Sequence, residues 1–501
     1  MRRIYFIIFL FSFNTGFAQY QIQSMLSDSA WVYVYGGTGH DFARQIISCS
    51  DSGYLVVGTT SSFGVQNTDM YVIKMNRNCD RIWSHNYGTA GIDWGYAGRE
   101  TFDKGYIFCG YSNQNIANGY DVYLVKVDSI GNLQWAKTIG DTDWDFGYGI
   151  EISADSGFII IGKTYSPSNG GSDVLIIKTD SAGNEIWKKN YGGISDETAN
   201  TIYKTKNGDY MILGETNSFG EGNEDFYLLK INESGDTIWT RTYGTAAFDE
   251  GNSIDTTFNG NYFLFGTTEG NPARPGSKEF YIIQINPAGD EIYTEFNGGS
   301  GEEIGRYILQ LPNGDHIYGG TTNSNGLGGT SLYMIGFTSS GVFLGGSYFG
   351  GTNDEEGYSV AAGKDGQIVL AGTTKSEPFG QEDVYLVRID SVHQNYPLSM
   401  HYYNDSLVSV NEPMGSTGNE FTIYPNPFHS GTTFYTPRNA NNRYFNCTIK
   451  VFDITGRTVL SIFPKQFPYS FENQDLLKEG AYIVSIYIDN IIFQSEKIIV
   501  Y

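Results

Sequence analysis

Apolar and polar positions alternate in short runs through most of the chain, and these runs come in groups of four. One group consists of Tyr96–Thr101, Tyr106–Tyr111, Tyr123–Val127 and Gln134–Ile139, with Gly, Asp and Asn between the runs. Alternation with a period of two indicates half-buried β-strands, and the turn residues mark where they end. The pattern therefore predicts repeated units of four antiparallel strands.

The units recur with a fixed period. Tryptophan returns every 52 residues, at Trp31, Trp83, Trp135, Trp187 and Trp239, and Tyr293 follows after 54. A glycine of the second strand keeps the same rhythm, at Gly58, Gly110, Gly162, Gly214, Gly266, Gly320 and Gly372. Seven units of four strands are typical of a β-propeller, whereas a β-helical solenoid has shorter coils. The sequence predicts an all-β fold with a seven-bladed propeller over residues 31–390.

The two ends of the repeat complement each other. Trp31–Tyr35 is a lone fourth strand that precedes the first full unit, and the last unit stops after its third strand, Val384–Ile389. Pairing these two segments closes the ring and removes exposed sheet edges. We therefore expect Trp31–Tyr35 to be the outermost strand of the seventh blade.

Composition agrees with this fold and narrows the range of partners. The chain has 63 glycines, 13 prolines and 15 % aromatic residues, which suits short strands and tight turns and excludes a collagen or a disordered chain. Its net charge of −24 argues against nucleic acid and anionic lipid as partners.

The N-terminal residues have the features of an export signal. Met1–Arg3 is basic, Ile4–Phe13 is apolar but too short to span a bilayer, and small residues precede Gln19. Residues 1–18 are therefore interpreted as a signal peptide, with a buried N-terminal strand as the alternative. No later apolar run approaches the length of a transmembrane segment, so we expect none in the mature chain.

The C-terminal residues are not part of the repeat. Residues 391–420 are polar and are interpreted as a linker, and residues 421–501 show the alternation of a small antiparallel β-sandwich. Three sequences stand in order within them: Tyr424–Pro427 (YPNP), Asp453–Arg457 (DITGR) and Gly480–Tyr482 (GAY).

These motifs resemble the type A C-terminal sorting domain of the type IX (Por) secretion system. The resemblance implies a Gram-negative bacterium, passage through the outer membrane to the medium or cell surface, and the secretion machinery with its sortase-like peptidase as partners. An ordinary accessory β-sandwich is the alternative interpretation of these residues.

Motifs of known catalytic or metal chemistry are absent from the sequence. It contains no HExxH, GxSxG, Walker A, CxxC or EF-hand pattern, and its six histidines are scattered. Of the four cysteines, Cys49, Cys79 and Cys109 occupy unrelated positions of the repeat and Cys447 lies beyond it, so they predict no disulfide framework. We therefore expect no cofactor, with calcium as the one open possibility.

The calcium hypothesis rests on an acid that recurs where each unit begins. The seven members are Asp41, Asp93, Asp145, Glu197, Asp249, Glu303 and Glu355. At the start of the innermost strands they would ring the mouth of the central channel and hold a cation. Alternatively, each acid accepts backbone N–H groups and fixes its own inter-blade linker, and its sevenfold recurrence favours this structural role.

The position three residues after each acid differs from unit to unit. It holds Arg44, Tyr96, Tyr148, Asn200, Asn252, Arg306 and Tyr358. His40, Trp94 and Trp144 flank the arginine- and tyrosine-bearing arc. Aromatic faces with a few hydrogen-bonding groups suit sugars or peptides, although the same rings would also plug and pack the channel mouth.

Three kinds of function remain open at this point. The preferred hypothesis is a secreted or surface-attached, non-catalytic binding or adhesion module for a glycan, a peptide or a protein. The alternatives are an extracellular polysaccharide hydrolase or lyase at the same mouth and a purely structural spacer. The propeller fold hosts all three and does not decide between them.

Overall fold

The computed structural model describes residues 30–389 except 64–66, 115–118, 167, 169, 325–328, 340, 365 and 377–380, and beyond residue 389 it describes chiefly strands. The described residues of this first part form seven antiparallel sheets whose innermost strands contact one another in cyclic order. The predicted seven-bladed propeller is confirmed. The predicted signal peptide lies outside the described residues.

Each blade contains four strands in sequence order, with the first innermost. The first six blades consist of β2 (Asp41–Ser48), β3 (Tyr54–Thr60), β4 (Asp69–Met75), β5 (Arg81–Tyr87); β6 (Asp93–Glu100), β7 (Tyr106–Ser112), β8 (Asp121–Val127), β9 (Leu133–Ile139); β10 (Asp145–Ile152), β11 (Phe158–Thr164), β12 (Asp173–Thr179), β13 (Glu185–Tyr191); β14 (Glu197–Lys204), β15 (Tyr210–Thr216), β16 (Asp225–Ile231), β17 (Thr237–Tyr243); β18 (Asp249–Thr256), β19 (Tyr262–Thr268), β20 (Glu279–Ile285), β21 (Glu291–Asn297); and β22 (Glu303–Gln310), β23 (His316–Thr322), β24 (Ser331–Phe337), β25 (Phe343–Phe349).

The seventh blade closes the ring with the N-terminal strand. It contains β26 (Glu355–Ala362), β27 (Ile368–Thr374), β28 (Asp383–Ile389) and, in fourth place, β1 (Ala30–Gly36). β1 pairs antiparallel with β28, from Ala30 opposite Ile389 to Tyr35 opposite Val384. The predicted closure is confirmed.

β1 is nevertheless not the outermost strand of this blade. β29 (Ser399–Asn404) pairs in parallel with its free edge, so the segment predicted as a linker contributes a fifth strand. The physical reason is that an outer strand leaves a row of backbone N–H and C=O groups unpaired, which a following segment can satisfy.

The recurring glycine of the second strand has a steric cause. A Cβ atom on Gly162 would lie 1.8 Å from the carbonyl oxygen of Phe146, and one on Gly58 would lie 1.7 Å from that of Phe42. No side chain fits such an approach, because the first strand bulges toward the second at this point. This glycine therefore recurs about every 52 residues because each blade contains one such bulge.

The apolar core lies between neighbouring blades, and the fourth strands reinforce it at the blade boundaries. The indoles of Trp135 and Trp187 pack on Gly183 and Gly235, which lie in a turn of the next blade. A Cβ atom on either glycine would lie within 2.7 Å of the indole. Tyr87 also donates its hydroxyl to the carbonyl oxygen of Gly131, at 2.7 Å. Each aromatic fourth strand thus holds the following blade.

The C-terminal unit, residues 408–501, contains two sheets. One sheet is formed by β30 (Thr422–Tyr424), β31 (Gly431–Tyr435) and β34 (Tyr469–Glu472), and the other by β32 (Cys447–Phe452), β33 (Thr458–Ile462), β35 (Gly480–Ile488) and β36 (Ile491–Val500). The predicted β-strands are confirmed, and their packing as a sandwich stays a prediction.

Two further findings concern the described part of the chain. Nothing in it is a helix long and apolar enough for a membrane span. Cys49 and Cys109 are buried free thiols, and Cys79 is buried as well.

Candidate functional site at the channel mouth

A bulge in every innermost strand selects the residues that face the central channel. The strand register skips one residue in each blade, and the skipped residues are Arg44, Tyr96, Tyr148, Asn200, Asn252, Arg306 and Tyr358. All seven line a channel cavity of about 950 Å³. Bulges re-aim side chains, so one backbone device turns this variable position toward the channel in each blade.

Aromatic rings from blades 1 to 3 form one connected surface, which we call the aromatic belt. Its members are His40, Phe42, Trp94, Tyr96, Tyr111, Tyr120, Trp144, Phe146, Tyr148 and Tyr165. Ring centroids lie 4.9 Å apart for Tyr96 and Tyr148 and 4.8 Å apart for Tyr111 and Phe146. Trp144, at the outer end, is 50 % exposed. The belt therefore offers both packed rings and open ring faces.

Arg44 lies against the belt with its guanidinium over aromatic faces. The guanidinium carbon is 4.5 Å from the ring centroid of Tyr358 and 5.4 Å from that of Tyr96. Its Nε is buried without a hydrogen-bond partner among the described residues. Cation–π contacts hold the charge in place and leave hydrogen-bond donors for a ligand.

The opposite side of the mouth is ionic. Arg306 and Glu250 form a salt bridge of 2.7 Å, and both line the channel beside Glu215. Burial, reinforced by the negative charges of Glu250 and Glu224, raises the pKa of Glu215 to about 8. The channel thus contains one carboxyl group held neutral at pH 7 and another paired with an arginine.

The other predicted mouth residues have partners of their own. His40 Nδ1 lies 2.6 Å from the Glu382 carboxylate. Asn200 and Asn252 each donate a side-chain hydrogen bond of 3.0 Å to a backbone carbonyl of the next blade, at Gly251 and Gly305. The two asparagines therefore connect blades, whereas Tyr96 and Tyr148 contact each other's rings and Tyr358 contacts the Arg44 guanidinium.

The seven recurring acids lie in the blade junctions and not among the residues that line the channel. All seven are fully buried. Each accepts a backbone N–H bond from the residue four positions earlier, the donors being Gly37, Thr89, Asp141, Gly193, Thr245, Gly299 and Gly351.

These contacts correct the expectation that the acids ring the channel mouth. Several carboxylates also accept a hydroxyl bond, as Glu197 does from Thr216 at 2.6 Å. The described residues contain no group of three side chains suited to hold a metal ion. The geometry favours the linker-fixing role, and calcium binding stays a prediction.

Sequence reasoning missed the channel residues of the second strand. The position after the recurring glycine holds Thr59, Tyr111, Lys163, Glu215, Thr267, Thr321 and Thr373. The hydroxyls of Thr59, Thr267 and Thr321 accept N–H bonds from the next blade, as Thr59 does from Gly95 at 3.1 Å. Where threonine is replaced, in blades 2 to 4, the side chain is free for another use. Comparing the copies at this position would have found Lys163 and Glu215.

The fold and the tail together define the class of protein. Residues 422–501 match the family of secretion system C-terminal sorting domains, as the sequence motifs predicted. The chain is therefore a β-propeller protein with a type IX sorting domain, secreted or located at the outer-membrane surface of a Gram-negative bacterium, and its tail engages the secretion machinery.

Similar proteins are more distant over the propeller. A regulatory protein, FlaEY of Caulobacter vibrioides, is 24 % identical over 344 residues, which cover 56 % of this chain and 36 % of that protein. The chain thus spans about a third of the length of this relative.

Solved structures similar in fold to this chain come from otherwise unrelated proteins. A Dyadobacter fermentans protein of unknown function has a TM-score of 0.41 at 10 % identity, covering 72 % of this chain and 98 % of its own. The WD40 domain of Neurospora crassa Pan2 has a TM-score of 0.42 at 10 % identity, with coverages of 71 % and 91 %. Similarity at this level carries no inference about function.

Proposed function

We propose that the propeller is a non-catalytic binding module for a neutral glycan, displayed outside the cell by type IX export. The observation that carries the proposal is the aromatic belt with Arg44 beside it. Sugar rings stack on aromatic faces, and a guanidinium donates hydrogen bonds to their hydroxyl groups. A polyanionic glycan is disfavoured, because the protein is acidic and Arg306 already pairs with Glu250.

The resemblance of the tail adds a processing step to this proposal. We infer that the sortase-like peptidase of the secretion system removes the sorting domain after export. Mass spectrometry of the mature protein is expected to find its C-terminus before Phe421. A mature chain that ends at Tyr501 would contradict this part of the proposal.

A glycan array, with calcium and with EDTA, followed by calorimetry, tests the binding proposal. The double substitution Tyr96→Ala with Tyr148→Ala removes the ring pair of the belt that lines the channel cavity, so binding should weaken at least tenfold if each stacked ring contributes on the order of 1 kcal/mol. The matched control is Tyr203→Ala with Tyr262→Ala, a ring pair 5.9 Å apart in blades 4 and 5 and outside the belt. If both double variants weaken binding equally, the belt has no special role.

The carboxyl pair favours a second candidate, a glycoside hydrolase. Glu215 is protonated near neutral pH and suits a general acid, and Glu250 is a carboxylate that faces the same channel. Hydrolysis would then fall as pH rises through about 8, the pKa of Glu215. Release of reducing ends that is lost in Glu215→Gln and in Glu250→Gln would establish this candidate. Binding without turnover would exclude it for the glycans tested.

A further inference from the structure

The boundary between blades 5 and 6 lacks the groups that fill the boundaries after blades 1 to 4. Blades 1 to 4 each have a tryptophan and a lysine side by side on the fourth and third strands, as Trp83 and Lys74 are. In blade 5 these positions hold Tyr293 and Gln284. A Cβ atom on the following turn glycine, Gly341, would meet nothing within 4 Å.

Blade 5 also lacks the tyrosine whose hydroxyl donates a hydrogen bond to the next blade. Tyr87, Tyr191 and Tyr243 donate their hydroxyls to turn carbonyls of the following blades. The equivalent residue of blade 5 is Asn297. Blade 5 therefore has shorter side chains than blade 1 at all three positions.

The missing side chains leave a cavity of about 470 Å³ on the face opposite the mouth. Phe258, Phe263, Tyr293 and Phe337 supply aromatic walls. The volume falls within the range of pockets that bind small ligands.

One buried polar group of this cavity, the Tyr318 hydroxyl, can still make a hydrogen bond. Tyr318 stands where the other blades have apolar residues at this position of the second strand; it is 4 % exposed, and its hydroxyl has no hydrogen-bond partner among the described residues. A buried hydroxyl without a partner costs free energy, which a bound ligand would recover.

The charge of the cavity is also distinctive. Glu295 occupies the position that is basic in blades 1 to 4, where His85, Lys137, Lys189 and Arg241 stand. Among the described residues it has no salt-bridge partner, and it is the one acid lining the cavity, which contains no lysine or arginine. Burial raises the pKa of Glu295 and lowers that of His316, the other titratable groups of the cavity being tyrosines.

Blades 1 to 3 show what occupies this space elsewhere. The ammonium groups of Lys74, Lys126 and Lys178 lie there, 2.7–3.0 Å from aspartates in the turn between the first two strands of the same blade. In blade 4 the Lys230 ammonium is 5.9 Å from the ring centroid of Trp239. The scaffold thus accommodates an ammonium group at this place in four blades, beside an aspartate in blades 1 to 3 and near an aromatic ring in blade 4.

We propose that the cavity between blades 5 and 6 binds an organic ammonium group, primary or quaternary, of a small ligand. The ammonium would lie among the aromatic walls with Glu295 as its counter-ion, where blades 1 to 4 have their own lysine. This site is separate from the mouth, and the proposal stands independently of the glycan hypothesis.

Ligand-observed NMR on the full chain tests the proposal with two matched probes. Choline and 3,3-dimethylbutan-1-ol have the same shape, but only choline carries a positive charge. Choline should bind saturably, and the uncharged alcohol should bind at least tenfold more weakly. The substitution Glu295→Gln should weaken choline binding at least fivefold and leave binding of the alcohol unchanged.

The repeat itself provides the second variant. Gln284→Lys with Tyr293→Trp restores the residues of blades 1 to 4, so it should fill the cavity, abolish choline binding and preserve the circular dichroism spectrum. Equal binding of both probes, no saturable binding at millimolar choline, or choline binding that survives this double variant would each overturn the proposal. Glu295→Gln, a partly exposed conservative change, keeps the test valid if the double variant fails to fold.

Discussion

Removal of β1 is expected to unfold the whole propeller and not the seventh blade alone. Val32, Tyr33, Val34 and Tyr35 of this strand are at most 3 % exposed. At roughly 1.5–3 kcal/mol for each buried apolar side chain, their burial contributes about 6–12 kcal/mol. That is comparable to the entire stability of a typical domain, about 5–15 kcal/mol.

β1 also ties blade 7 to blade 1. The hydroxyls of Tyr33 and Tyr35 donate to the carbonyl oxygens of Asn78 and Cys79, at 2.6 and 2.5 Å. Arg388 of β28 donates to the Asn78 carbonyl at 2.7 Å and lies 4.2 Å from the ring centroid of Trp31. Losing β1 therefore removes part of a blade and opens the ring at one junction.

Urea denaturation followed by circular dichroism measures the effect. The variant without residues 30–36 should be unfolded without urea or should unfold at a far lower urea concentration than the full chain. A permuted chain in which residues 30–36 follow Ile389 through a short turn is the control, because Ala30 already lies opposite Ile389 in the antiparallel register. It should regain most of the stability. A deletion variant that unfolds at the same urea concentration as the full chain would refute the reasoning.

Three other predictions concern the bulge glycine Gly162, the buried Asp69 and the C-terminal sorting domain. Gly162→Ala should destabilise the propeller by at least roughly 2 kcal/mol, measured by denaturation, because its Cβ would collide with the Phe146 carbonyl; an unchanged midpoint would contradict the bulge argument. Burial and the charge of Asp93 raise the pKa of Asp69 from 3.8 to about 6, so the folded state binds the proton more tightly and stability falls as pH rises from about 4 to 6. Asp69→Asn should therefore increase the free energy of unfolding by about 1 kcal/mol at pH 7, seen as a higher melting temperature, and should have no effect at pH 4. Equal shifts of the melting temperature at both pH values would contradict this prediction. Deleting residues 422–501 should leave a folded propeller in the periplasm, and immunoblots that find it in the medium or on the cell surface would show that export does not need this domain.

The architecture was predictable because its determinants recur in the sequence. Glycine at the bulge and tryptophan at the blade boundary are each required by a contact, so they return with the period of the fold. The closure by β1 followed from counting strands. The strand β29 was not predictable, because its pairing depends on a free edge that only the closed ring creates.

The mouth was predictable in part. The variable position of the first strand was identified by its departure from the repeat, and the bulge explains why it faces the channel. The acids were placed wrongly at the channel, since spacing alone does not tell in which direction a carboxylate turns. Asp41 and Glu197 point back to the N–H groups of their own linkers. Glu215 was missed, because its perturbed pKa arises from burial and neighbouring charges that are far apart in sequence.

The junction acids have a consequence for how such a protein can change over evolution. In blade 4, Glu197 and Ala199 hold the linker and the bulge, and the intervening Thr198 and the bulge residue Asn200 line the channel. The acids that fix the linkers and the residues that meet the channel thus occupy separate positions within one strand. A substitution at a channel position of one copy leaves the hydrogen bonds of all seven junction acids in place. The mouth can therefore acquire a new specificity one blade at a time, at little cost to the ring that carries it.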